Sequence, residues 1–177
     1  MTKYEAIIRT IGYEGGYVND PRDPGGETKF GISKRAYPGL DVAALTMGEA
    51  IEIYARDYWD HLRLDDVADA GVAAEIFDTA VNMGRAAAVV CLQEALNFLG
   101  EALDEDGDLG PQTLRACNWW CSKDALALCK ALNGFQFRRY VEITRAKPGM
   151  NVFSRGWMKR IQEYHEAQGS APGGNDG

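Results

Sequence analysis

The chain has 177 residues, 46% of them hydrophobic and 25% charged, with a formal net charge of −7 at pH 7. That length supports one compact domain, or one domain with a small appendage, and the composition is that of a globular protein rather than a disordered tail or a membrane protein. The acidic balance argues against nucleic acid as the main partner, because phosphate binding draws on clustered Lys and Arg.

No stretch approaches the roughly 18 consecutive apolar residues of a membrane-spanning helix, so no membrane insertion is expected. The opening Met-Thr-Lys-Tyr-Glu-Ala-Ile-Ile-Arg is amphipathic and lacks the apolar core of a secretory signal. The expectation is a protein made in the cytoplasm and kept there unless another system releases it. Cys91, Cys117, Cys121 and Cys129 all fall in helical segments with no loop-rich disulfide framework around them. Small buried thiols are the favoured reading, over a metal site built on the Cys117/Cys121 pair with Cys129.

Tyr4, Ile7, Ile8 and Ile11 recur at helical spacing and predict an amphipathic helix over residues 2–14, ended by Gly15 and Gly16. From Glu14 to Gly31 the chain is dense in Gly, Pro, Asn and Asp, which predicts a shaped loop or a short hairpin. Thr46 with Glu49 three residues on is a capping-box signature. Met47, Ala50, Ile51, Tyr54 and Tyr58 then mark a second helix running to about Leu62. A third helix, residues 69–83, carries Ala73, Ile76, Phe77 and Ala80 and stops at Gly84. A fourth, residues 86–99, carries Ala88, Leu92, Ala95, Leu96 and Leu99. After a turn over 104–111, Pro111 opens a helix to about 122 with Leu114, Cys117 and Cys121 on one stripe. A longer helix over 124–146 buries Leu128, Cys129, Leu132 and Phe135, and Pro148 and Gly149 interrupt it. A last helix over 155–168 presents Trp157, Ile161 and Tyr164. The Gly/Ser/Pro/Asn-rich tail over 169–177 is expected to be disordered. No Pro- or Ser-rich spacer marks a linker, so residues 1–84 and 85–168 are expected to be two lobes sharing a core.

Glu14 continues the buried stripe of the first helix and sits at its C-terminal, negative end. Both features disfavour the charged carboxylate, which is what a proton donor near neutral pH requires. Cleaving a glycosidic bond generally takes a second carboxyl group. Asp20 and Asp23 follow in the rigid loop, and each is also a strong turn former in its own right. Asp78 and Asn82, with Glu75 one turn earlier, lie opposite Ile76 and Phe77, either as a solvated face or as a polar wall of a sugar cleft. Tyr17, Tyr58, Trp59 and Trp157 offer flat apolar surfaces to sugar rings or pack in the core, with Tyr17 in the loop the best candidate for sugar contact. Asp104, Asp106 and Asp108 faintly resemble a calcium loop, but the terminal bidentate Glu is missing. His61 and His165 have no partner spacing, and neither a metal nor a cofactor is expected.

The stretch Glu14-Gly-Gly-Tyr-Val-Asn-Asp-Pro-Arg-Asp-Pro-Gly-Gly-Glu-Thr-Lys-Phe-Gly-Ile-Ser33 resembles the signature of the glycoside hydrolase family 108 N-acetylmuramidases of phage endolysins and secretion-associated muramidases. Tyr54-Ala-Arg-Asp-Tyr-Trp59, Phe77-Asp-Thr-Ala-Val-Asn-Met-Gly84 and Gly156-Trp157 are similar to further segments of that family. Residues 86–157, with Asp106-Gly-Asp-Leu-Gly-Pro-Gln-Thr113, resemble the peptidoglycan-binding region that accompanies it. The resemblance implies an all-α, lysozyme-like fold and hydrolysis of the β-1,4 bond between N-acetylmuramic acid and N-acetylglucosamine, with Glu14 as the acid. The order Glu14, Asp23, Thr28 also resembles the Glu/Asp/Thr arrangement of T4-type phage lysozymes, where the last interval is one residue longer, so Asp23 and Thr28 join Glu14 as catalytic candidates.

The expected partner is the peptidoglycan glycan strand. It is approached by a monomer that needs a holin or secretion system for export from the bacterial host cytoplasm to the periplasm. A basic group, Arg138, Arg139, Arg145 and Lys147, can offset the repulsion between an acidic chain and an anionic wall. The alternatives are a lytic transglycosylase acting on the same bond and a non-catalytic wall-binding or secretion-accessory protein.

Overall fold

The structure, a computed structural model, describes residues 1–12, 16–19 and 26–166, the side chains of Lys159 and of residues 162–166 excepted. Among the described residues the secondary structure is helical apart from one small hairpin and an isolated bridge. The chain divides into two compact units, Met1–Arg85 and Ala86–Gly177. No helix among the described residues is long and apolar enough to cross a membrane.

In the first unit, α1 (Lys3–Gly12) buries Ala6, Ile7, Thr10 and Ile11 against α2 and α3. Tyr4 and Ile8, expected on the same stripe, are half exposed. The buried face is therefore rotated towards Ala6 and Thr10, whose small side chains allow close helix approach. The hairpin follows, with β1 (Thr28–Lys29) antiparallel to β2 (Ile32–Ser33) and Val18 bridged to Thr28. Phe30 and Gly31 make its turn at φ 53° and 76°, the doubly positive pattern of a two-residue hairpin turn. A bulky side chain rarely adopts such a φ. Here Phe30 is held by the Tyr54 hydroxyl, which donates to its carbonyl at 3.0 Å.

α2 (Met47–Tyr54) starts at the expected capping box: the Thr46 hydroxyl accepts from the Glu49 amide at 3.3 Å and the Glu49 carboxylate from the Thr46 amide at 2.8 Å. Where the sequence predicts an uninterrupted α-helix to Leu62, residues Ala55–Asp60 form a π-helical turn. A π turn stacks residues four and five apart. Tyr54, Tyr58 and Trp59 thereby all meet Phe77, with ring centroids at 6.4, 6.4 and 5.6 Å.

Phe77 belongs to α3 (Ala70–Met83), capped by Asp69, whose carboxylate accepts from the Gly71 and Val72 amides, and stopped at Gly84 with φ 90°. Every residue from Val72 to Ala80 is buried, so this helix has no solvated face.

From Ala86 onward α4 (Arg85–Phe98) belongs to the second unit, where it buries Ala88, Val89, Leu92 and Leu96. α5 (Pro111–Ala146) starts with proline and is interrupted at Asp124, whose φ of −163° and ψ of 81° are not helical. The Asp124 carboxylate accepts from the Ala127 amide at 2.9 Å and so caps a second segment, which explains why the sequence reads as two helices meeting there. A 3₁₀ turn over Pro148–Phe153 leads to α6 (Ser154–Glu166), and Trp157 of α6 stacks on Tyr140 of α5, with centroids 4.5 Å apart and planes within 7°. All four cysteines are free thiols. Cys91, Cys117 and Cys129 are buried and Cys121 is half-buried, and burial pushes the Cys91 thiol up to about 11.

The loop between α4 and α5 carries no regular structure and is held by two amides one helical turn apart. Buried Gln93 donates to the Asp106 carboxylate at 2.7 Å and to the Asp108 carbonyl at 3.2 Å, and accepts from the Gly107 amide at 2.9 Å. Asn97 donates to the Leu103 carbonyl at 2.9 Å and accepts from the Leu103 amide at 2.8 Å. Gly107 adopts φ 75°, and a Cβ there would lie 3.1 Å from the Ala86 carbonyl oxygen. Replacing Gln93 with Leu removes these bonds while keeping the bulk. The second unit is expected to lose roughly 2 kcal/mol, measured by denaturant unfolding, with faster amide exchange confined to residues 103–110.

Candidate active site

Glu14, Asp20 and Asp23 lie outside the described residues. The remaining candidates of the first unit are carried by the hairpin, the π turn and α3. Thr28 opens β1, where its amide and carbonyl bond Val18 at 2.8 Å each and its hydroxyl donates to the Gly26 carbonyl at 3.3 Å. Tyr17, one residue from that bridge, is 45% exposed. The Tyr54–Phe30 bond fixes the hairpin to the end of α2.

Tyr58 is half-buried between Tyr54 and Phe77, and burial raises its phenol above the ordinary range, so it stays neutral. Trp59 is a correction to the sequence reading. It is 4% exposed, its ring lies against Phe77, and its indole N–H donates to Asp65 at 2.8 Å, which leaves no face for a sugar. The π turn swings it inward. Trp157 lies in the second unit, where the Tyr140 ring covers one of its faces.

Asp78 is also placed differently from expectation. It is 3% exposed and Glu75 is 1% exposed, so neither faces solvent. The Thr10 hydroxyl donates to Asp78 at 3.3 Å, and Asn82 reaches back to the Asp78 carboxylate at 3.1 Å and its carbonyl at 2.9 Å. The Asn82 side-chain oxygen accepts no bond among the described residues. Thr10 was missed by sequence reasoning, although a hydroxyl on the apolar face of α1, three residues after Ile7, was the available signal. It couples the last turn of α1, four residues before Glu14 in sequence, to the Asp78 carboxylate inside α3.

A second polar group surrounds Asp57, in the segment Tyr54–Trp59. Arg56 donates to both of its carboxylate oxygens at 2.6 and 2.8 Å, Tyr37 donates at 2.6 Å, and Arg85 donates to its main-chain carbonyl at 2.6 Å. The Arg56 guanidinium, followed by the Tyr37 hydroxyl, holds the Asp57 carboxyl below the usual carboxylate range. Burial and donation to Asp57 push the Tyr37 phenol up. The network anchors the loop after the hairpin to the π turn. Among the described residues, no cluster of His, Cys, Asp or Glu has the arrangement of a metal site.

A helical unit with one small hairpin between its first two helices, and polar groups gathered around its buried third helix, is a lysozyme-like fold. Residues 7–84 match the family model described as glycosyl hydrolase 108, and residues 87–162 match that described as predicted peptidoglycan domain. The first of these models covers somewhat less than half of the chain, and the second most of the remainder. The chain is similar to a solved structure described as that of Brucella abortus SagA, with 29% identity and a TM-score of 0.72 over 93% of this chain and 92% of that one. No curated protein matches the chain. Together the two matches support a glycosidase that carries a peptidoglycan domain and acts on peptidoglycan.

The Asp57 network predicts an acid dependence. A carboxyl whose folded pKa is depressed contributes stability above its unfolded pKa of about 3.9, and that stability is lost as pH falls through the folded value. Asp57→Asn is expected to lower the melting temperature at pH 7 and to have a smaller effect near pH 3. The effect is modest because Arg56 is largely exposed. Thermal melts of both proteins across pH 2–7 check this.

Proposed function

We propose that this chain is an N-acetylmuramidase of the endolysin type, hydrolysing the β-1,4 bond between N-acetylmuramic acid and N-acetylglucosamine with Glu14 as general acid. The observation that carries the reading is the union, in one chain, of a glycosyl hydrolase 108 match and a peptidoglycan-domain match. The segment beginning Glu14-Gly-Gly supports the choice of acid. In this reading Glu14 gives its proton to the glycosidic oxygen as the bond to the anomeric carbon breaks. Asp23 stabilises the oxocarbenium-like transition state or directs water onto it, and water supplies the new hydroxyl. Tyr17 and Asn82 contact the sugar, and Thr28 orients the attacking groups.

The proposal includes synthesis in a bacterial host cytoplasm, release to the wall by a holin or secretion system, and action as a monomer. Glu14→Gln removes the proton and keeps the shape. Hydrolysis of purified walls is expected to fall below a few per cent with the melting temperature nearly unchanged. Higher residual turnover removes Glu14 from the role, and failure to fold makes it structural. Mass spectrometry of the released fragments is expected to show reducing muramic ends, whereas anhydro ends would identify a transglycosylase. If neither the wild type nor Glu14→Gln releases fragments while both sediment with walls, the chain is a binding protein.

Asp23→Asn is expected to reduce turnover far more than Asp20→Asn. The reverse order transfers the second role to Asp20, and equal mild effects point to a single-acid mechanism.

A further inference from the structure

The second unit contains a cleft that none of the preceding chemistry uses. It consists of two concavities of about 450 and 510 Å³. They are continuous, because Leu103, Gln112 and Arg115 line both. One wall is the loop held by Gln93 and Asn97, the other is the first two turns of α5, and Trp119 closes the far end.

The polar groups in the cleft divide into those already engaged and those left over. Asp106 is engaged with Gln93 and with the Asp108 amide, which together hold its carboxyl below the usual range, and Glu101 accepts from the Trp120 indole at 3.1 Å. Asp104, Asp108 and Arg115 are exposed, and their charged groups make no hydrogen bond or ion pair among the described residues. Trp119 is 49% exposed, with Lys123 over its ring at 4.3 Å from the centroid. The cleft thus presents an uncommitted guanidinium, two uncommitted carboxylates and an apolar ring on a wall that side-chain amides hold in place.

Charges of both signs on a preorganised surface match a ligand that carries both signs itself. The glycan strand has hydroxyl and acetamido groups that can donate to Asp104 and Asp108 but no cation to neutralise them. Peptidoglycan peptide stems have carboxylates, and uncross-linked stems keep the free amine of their diamino acid. We propose that this cleft binds uncross-linked peptide stems, with Asp104 and Asp108 taking the side-chain ammonium at one end, Arg115 taking a carboxylate where the two concavities meet, and Trp119 covering an apolar part of the stem at the far end. The inference rests on the reading of peptidoglycan as the substrate and names the part of it that the second unit holds. Cross-linking acylates the amine, so the cleft favours stems that are not cross-linked.

The test is calorimetric titration of the full chain with a glycan-free stem tetrapeptide containing a diamino acid. The same peptide acetylated on its side-chain amine and a peptide-free N-acetylglucosamine oligomer are compared with it. The free-amine peptide is expected to bind saturably and at least tenfold more tightly than its acetylated form. Arg115→Gln is expected to weaken it at least tenfold, and Asp104→Asn with Asp108→Asn to abolish the preference for the free amine. Equal affinity for the two peptides, or no peptide binding, overturns the proposal. So does unchanged affinity in a natively melting Arg115→Gln variant. The comparison of ligands on the wild-type chain decides the matter even if a variant fails to fold. The peptide has no glycosidic bond, so its binding is independent of Glu14, and an inactive enzyme that binds the peptide separates this proposal from the proposed hydrolysis.

Discussion

A helix with no solvated face has to find a partner inside the protein for every polar side chain it carries, and α3 imposes this condition on the first unit. Its apolar side is met by three aromatic rings around Phe77, which the π turn brings together by displacing Trp59 from the position an α-helix would give it. Its polar side is met by a seam in which Thr79 bonds the Glu75 carbonyl, Asn82 bonds Asp78, and Thr10 of α1 bonds Asp78 from across the interface. Removing one member of such a seam strands the others in a medium where an unpaired charge is costly. The last described turn of α1, which leads into the Glu14 segment, is thus set by side chains some 68 residues away in sequence.

The second unit solves a related problem by another route. Its loop between α4 and α5 has no ladder of its own, so its backbone groups are satisfied by side chains. Gln93 and Asn97, four residues apart on one helix face, each accept from a loop amide and donate to a loop carbonyl. The acidic residues of the segment then serve different ends. Asp106 is part of the scaffold, while Asp104 and Asp108 remain on the surface. A run of alternating aspartates that resembles an ion-binding loop is here a backbone clamp with two charges left over.

Much of the helical layout was legible because local chemistry marks it. Thr46 with Glu49, Asp69, Gly84 and Pro111 are boundary residues whose effect does not depend on distant packing, and the break near Asp124 follows from its own side chain. The π turn was not legible, because the reason for it is Phe77, which lies far along the chain. For the same reason Tyr4 and Ile8 were misread as buried, and Asp78, read as either a solvated face or a cleft wall, is buried. Periodicity gives the orientation of a face, but not which of two neighbouring faces a partner will cover. Of the candidate site, Tyr17 is exposed as the loop composition indicated, and Trp59 is enclosed by the turn that the sequence did not disclose. The segment from Glu14 to Asp23 is read only through its resemblance to a family signature, since turn-forming residues carry equal meaning as scaffold and as chemistry, and its three acidic candidates lie outside the described residues.

The thiols of the second unit bear on where such a chain can work. Exchange with other sulfur species proceeds through the thiolate, and a buried thiol such as Cys91, titrating near 11, is almost wholly protonated at neutral pH. Its neighbours in the core, Cys117 and Cys129, are equally shut away from solvent. These three thiols therefore react slowly in oxidising and reducing surroundings alike. A core built around such thiols keeps its packing whatever redox poise surrounds it.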